Sequence, residues 1–309
     1  MYHFFDRPAM KARAKANLKR NYWPAFAVTL IIALAGGAVS SGPSFNFSTN
    51  FNLGEQETVA NTPFSYAQPQ IPQFVWVLLG VLAVFILIVA VCGIIHTIFA
   101  GNVLSVGGNR FFLNYTNATE KFGDIAHGFS AKGKTGYFNV VKFMFLRSLY
   151  LFLWGLLMLV PILLLVIGAA LMAESDAFNI PSFLLMFIGI VGLLPSMIPM
   201  EVKAYEYSMV PYLLAEYPQM PANEVFAASK QLTNGYKWEL FVLHLSFIGW
   251  ELLGALCFGI GSLFVRPYVA ATEAEAYVTL CAISNQKQAM AAAQQPPVGP
   301  IAPSQPQGE

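Results

Sequence analysis

Residues 234–268 read NGYKWELFVLHLSFIGWELLGALCFGIGSLFVRPY, and the punctuation of that stretch decides the fold. It opens on a polar, aromatic elbow, Asn234 to Trp238, and then stays apolar for about one bilayer thickness. It turns at Gly259-Ile260-Gly261-Ser262 and starts back through Phe264 and Pro267. Aromatic side chains gather where a membrane meets water, so the pattern describes a transmembrane helical hairpin entered from an interface.

Composition supports the same class for the whole chain. Hydrophobic residues fill 56% of 309 positions and charged ones only 11%, about half the share of a soluble domain. An integral membrane protein is the class that fits. Cys92, Cys257 and Cys281 all fall in apolar runs and read as small buried hydrophobes, not as a disulfide set or metal site.

The chain begins with Arg7, Lys11, Arg13, Lys15, Lys19 and Arg20 against one acid, Asp6. Ala12, Ala14, Ala16 and Leu18 are good helix formers among those bases, which predicts a basic helix on the inner membrane surface. An unstructured basic tail is the competing reading. Asn21-Tyr22-Trp23-Pro24 forms the next elbow, and residues 24–41 form a first span, with a cleavable signal peptide as the alternative. Residues 42–73 hold Glu55 and Glu57 but no Lys or Arg, so they are expected outside. A second span covers 74–99, and its helix runs on through Val103, Val106, Phe111 and Phe112 toward the interface. Gly107-Gly108-Asn109-Arg110 is too short for a phosphate loop and reads as a tight bend or packing site.

Residues 102–142 are basic and therefore cytoplasmic. A third span is expected over 143–170, with Arg147 near its inner end, and a fourth over 183–203. The apolar run from Phe143 to Met172 is about 45 Å of helix, too long for a perpendicular crossing. Either Pro161 kinks it or the hairpin rises beyond the membrane. An amphipathic helix over 222–232 precedes the fifth span, 239–258, and the sixth covers 263–284. The Pro/Gln/Ala-rich residues 286–309 have the composition of a disordered cytoplasmic tail.

Of the 17 basic residues only Arg266 falls on the outer side, which sets both termini in the cytoplasm. Three elbows echo one another: Asn21-Tyr22-Trp23, Gly136-Tyr137, and Gly235-Tyr236 with Trp238. The fold class expected is all-α: a polytopic membrane bundle of about six transmembrane helices in three hairpins, each preceded by a cytoplasmic interfacial helix. Residues 1–285 form its single domain.

A set of residues carries a family resemblance. It comprises Arg13-Ala14-Lys15 with Leu18, Leu153-Trp154-Gly155-Leu156-Leu157, and Tyr207-Ser208-Met209 with Pro211-Tyr212. It continues through Ser229-Lys230, Gly235, Lys237-Trp238-Glu239-Leu240-Phe241, Leu245 to Trp250, Gly259-Ile260-Gly261 and Pro267-Tyr268. In these the chain resembles the uncharacterised bacterial integral membrane proteins grouped as domain of unknown function 975. The resemblance is close over 200–285, sparser over 7–160 and absent from the tail. It implies a multi-pass protein of the plasma membrane of Gram-positive type bacteria and brings no substrate with it.

No nucleophile–base set, HExxH, Walker or dinucleotide motif is present, and no two His have metal-ligand spacing. No enzyme activity, cofactor, metal or nucleic acid is therefore expected. Ionisable residues inside spans are expensive in hydrocarbon, and they form the candidate polar site: His244, Glu251, Arg266, Glu273 and Glu275. Depth along the hairpin pairs Glu251 with Arg266 and His244 with Glu275, and sets Glu273 near the midplane. Structural glue and an ion or proton path are the two readings of that set. Ala270, Ala271, Thr272, Ala274 and Ala276 would let a neighbouring helix approach closely. The expected function is a non-enzymatic scaffold or accessory of another membrane system, with the lipid bilayer and another membrane protein as partners. A small transporter or channel using the last span's acids is the alternative.

Overall fold

The computed structural model describes residues 5–37, 73–130, 134–173, 179–256 and 259–294, and among these every regular element is a helix. Helix α1 (Arg7–Arg20) starts where Asp6 accepts a hydrogen bond from the Ala9 amide at 3.3 Å, with Pro8 in its first turn. It buries Met10, Ala14 and Leu18, one stripe at a spacing of four. Helix α2 (Tyr22–Leu34) follows after a break at Asn21. Helix α3 (Gln73–His96) passes through a π-helical turn, Thr97–Gly101, into α4 (Asn102–Thr116). A 3-10 turn (Phe122–Ala126) and α5 (His127–Ser130) lead to α6 (Lys134–Gly155). A second 3-10 turn, Leu156–Met158, separates α6 from α7 (Leu159–Ala173). Pro161 accounts for that break: it has no N–H to give Leu157, and its ring crowds the turn before it.

The return helix α8 (Ile180–Glu206) ends beside α9 (Val210–Glu216) and α10 (Ala222–Thr233). The fifth span, expected unbroken over 239–258, is two pieces, α11 (Lys237–Leu245) and α12 (Ile248–Leu256), parted at Ser246 and Phe247. Gly235 and Gly259 carry φ of +82° and +77° at the turns before α11 and before the last helix, where a side chain would strain the backbone. That last helix, α13 (Ile260–Gln294), continues past Gln286, where the composition suggested a tail; residues 295–309 lie outside the described residues.

A buried body forms where α4, α9 and the middle of α13 meet, with α1, α2, α10 and the first turns of α6 around them. Tyr212 of α9 stacks on Tyr277 of α13 at 5.2 Å between ring centres. Phe26 of α2 stacks on Phe264 at 5.0 Å, and the Tyr22 hydroxyl donates to the Phe264 carbonyl. Apolar arms leave this body. Helices α7 and α8 run antiparallel, with Gly168 against Ser182 and Met186, and Gly189 against Pro161 and Leu165. Helix α12 lies against the start of α13 in the same way, Gly254 facing Ser262.

The outer surfaces of these arms are Leu, Ile, Val and Phe, and nearly all of α3 from Phe74 to His96 is exposed. An apolar surface that large suits hydrocarbon, not water. Among the described residues four helices are long and apolar enough to cross a membrane: Phe74–Thr116, Gly136–Ala173, Ile180–Glu216 and Lys237–Leu256. The apolar segment Tyr22–Leu34 is shorter. Helix α13 is not among the four; it carries Arg266, Glu273 and Glu275, and its middle is core. Residues 38–41 of the first expected span, and the loop after it up to residue 72, lie outside the described residues.

Candidate functional site

Five helices converge at the base of the arms: α6, the end of α8, α9, α11 and α13. His244 of α11 meets Glu273 of α13, Nε2 to Oε1 at 2.8 Å, with side-chain exposures of 10% and 3%. The other ring nitrogen, Nδ1, lies 2.8 Å from the Leu240 carbonyl one turn back. A carbonyl only accepts, so Nδ1 carries a hydrogen; a neutral imidazole then has only a lone pair at Nε2. That lone pair cannot face a carboxylate oxygen without a proton between them. The pair therefore holds one proton, as imidazolium and carboxylate or as imidazole and carboxylic acid, and is neutral either way. The Tyr212 hydroxyl donates to the second oxygen, Oε2, at 3.4 Å.

Three further polar groups surround the pair. Arg147 of α6 donates through Nε to the Tyr207 carbonyl at 3.0 Å and acts electrostatically on Glu273. Glu201 of α8 acts on His244 in the same way. Tyr205, one turn beyond Glu201, sets its ring 5.5 Å from the imidazole. Glu201 Oε2 and the Tyr205 hydroxyl are buried with no hydrogen-bond partner among the described residues. Around Glu273 the packing is dense: Ala270, Ala271, Thr272, Ala274 and Ala276 are each at most 1% exposed. The arrangement can hold a proton in a low-dielectric core and lock five helices together.

The other sequence-derived residues have different partners from those expected. Glu275, expected with His244, accepts from Arg13 Nε at 2.7 Å and from Asn17 Nδ2 at 3.3 Å, both on α1. The reason is helix rotation: successive positions on α13 are turned by about 100°, so Glu273 and Glu275 face different neighbours. Glu251 and Arg266 interact through space and form no ion pair among the described residues. Arg147, Glu201, Tyr205 and Tyr212 were not in the expected set; their signal was ionisable or hydroxyl groups beside long apolar runs.

The bases of α1 also have specific partners. Besides Arg13, Arg7 lies 3.5 Å from Glu239 and Arg20 lies 3.1 Å from Glu120. Burial alone would raise the Glu120 pKa, but its own amide, Arg20 and Asn21 outweigh it and hold the carboxyl below its ordinary value. A cleft of about 500 Å³ is lined by Arg110, His127, Glu216, Tyr217 and Glu224, among others. Burial, and then the Arg110 charge, push the His127 pKa down; Asp124 opposes them in part. Among the described residues no group of three or more His, Cys, Asp or Glu could hold a metal ion.

A family model described as "Protein of unknown function (DUF975)" matches residues 5–284. No curated protein matches the chain, and no solved structure does.

Proposed function

The chain belongs to the DUF975 family of proteins of unknown function, and from that premise we propose that it is a multi-pass scaffold or accessory protein of the bacterial plasma membrane. In this reading it crosses the bilayer about six times as three hairpins, both termini are cytoplasmic, and it performs no chemistry. Another membrane protein is its partner. The observation that carries the reading is the setting of Glu273, an acid in the last span enclosed by alanines, its proton shared with His244. A transport pathway needs an acid that water or an ion can reach. An acid engaged by His244 and Tyr212 in a close-packed, Ala-lined contact suits a joint between helices.

Helix lengths support the topology. Lys237 touches Glu206, and from Lys237 to Leu256, through the break at Ser246 and Phe247, the arm rises at most roughly 28 Å at 1.5 Å per residue. From Lys203 back to Ile180 the rise is roughly 34 Å. Both are close to the ~30 Å hydrocarbon thickness of a bilayer, so the lysines fall near its inner boundary. On the same scale Glu273 lies roughly 20 Å below the start of α13, inside the hydrocarbon.

Transport is the second reading, favoured by the unpartnered Glu201 Oε2 and Tyr205 hydroxyl beside His244. Reporter fusions test the topology. A fusion after Glu309 is expected to be active only in the cytoplasm, and one near Gln56 only outside. The opposite pattern overturns the arrangement.

A further inference from the structure

Glu206, at the end of α8, has a side chain only 5% exposed and three ammonium groups around it. Lys203 Nζ lies 3.1 Å from Oε1, Lys237 Nζ 2.7 Å from Oε2, and Lys230 Nζ 3.9 Å from Oε1. One carboxylate cannot neutralise three cations, so an excess of two positive charges remains. Glu239, close by in sequence, is engaged by Arg7. Lys230 stays 66% exposed, so part of that charge faces outward.

The surroundings are those of a membrane boundary. Lys203 lies over the Trp154 ring, 5.6 Å from its centre, and Trp238 next to Lys237 is 70% exposed. Exposed Met197, Ile198 and Val202 on α8 continue from the charges along the arm. A soluble phosphate would use the ammonium groups alone. A phosphate carrying acyl chains would use both the charge and the apolar track beside it.

We propose that Lys203, Lys230 and Lys237 bind the phosphate of an anionic phospholipid of the inner leaflet, whose acyl chains lie along α8. The site rests on the membrane reading above, because the arm lengths bring these lysines to headgroup level. Its role is to hold the end of α8, and with it Glu201 and Tyr205, at a fixed depth. Each ammonium near an anionic surface contributes on the order of 1 kcal/mol, equivalent to about fivefold in affinity.

The test titrates the full-length protein in neutral detergent with phosphatidylglycerol, phosphatidylcholine or inorganic phosphate. Binding is read by tryptophan fluorescence and by native mass spectrometry. Phosphatidylglycerol is expected to bind more tightly than phosphatidylcholine, with inorganic phosphate far weaker. Lys230→Gln, at an exposed side chain, should lower phosphatidylglycerol affinity about fivefold, and Lys230→Arg should retain it. Glu206→Gln should bind the anionic lipid more tightly while melting earlier without it. Equal binding of the two lipids, or no loss in Lys230→Gln, overturns the site. Inorganic phosphate binding as tightly as the lipid overturns the lipid assignment. Failure of the membrane reading would show separately, as protein that needs no detergent or as reversed reporters.

Discussion

Glu273→Leu is expected to cost about 3–5 kcal/mol, enough to prevent accumulation of folded protein, whereas Glu273→Gln costs only about 1 kcal/mol. The contrast follows from the shared proton. Leucine removes the hydrogen-bond partner of His244 Nε2 and the acceptor for the Tyr212 hydroxyl. Buried groups then lose their partners together, which is the expensive way to break an ion pair. Glutamine keeps both contacts: its amide donates to the lone pair of a neutral His244, and its oxygen accepts from Tyr212. His244 Nδ1 still donates to Leu240. Replacing His244 and Glu273 together by leucine should recover part of the loss, because no single member is left stranded. Melting curves in detergent and the yield of folded protein measure all three. Equal tolerance of Leu and Gln would remove the pair from the account of stability.

The second large effect is expected at Gly107 of α4. A Cβ there would sit 1.8 Å from the Ile125 carbonyl oxygen and 2.6 Å from its carbon. Both are backbone atoms of the 3-10 turn, so no rotamer change can relieve the overlap. Gly107→Ala should therefore push the turn and α5 off α4, at about 3 kcal/mol or more. Gly80 of α3 is the internal control: a Cβ there meets nothing within 4 Å. Gly80→Ala should be neutral or gain up to about 1 kcal/mol from helix propensity. If Gly107→Ala melts with the wild type, the close approach of α4 and the turn is wrong.

The Gly107-Gly108 pair shows what a sequence makes legible. Two glycines in a helix-forming stretch indicate a packing site, but not that its partner is Ile125, eighteen positions on. Pro161 likewise announces a break in the long third helix, and the 3-10 turn over Leu156–Met158 appears beside it. Features set by local chemistry were readable. Partner choice was not, because it depends on rotation and docking. Depth along a hairpin sets Glu275 at the level of His244, and only the facing of α13 assigns Glu273 to it instead. The bases of α1 read as those of a helix on the inner membrane surface, yet Arg7, Arg13 and Arg20 each meet a carboxylate distant in sequence. Arg147 and Glu201 lie more than fifty residues apart, on helices that only folding brings to one His244–Glu273 pair.

Whether the His244–Glu273 pair is a joint between helices or a step in a proton or ion path is decided most directly by flux. Purified protein is reconstituted into vesicles, and a pH or sodium gradient is imposed. An entrapped indicator follows its decay for the wild type, for Glu273→Gln and for protein-free vesicles. The expected result is decay at the protein-free rate in all three. Decay accelerated by the wild type and abolished by Glu273→Gln, with folding intact, would contradict the scaffold reading.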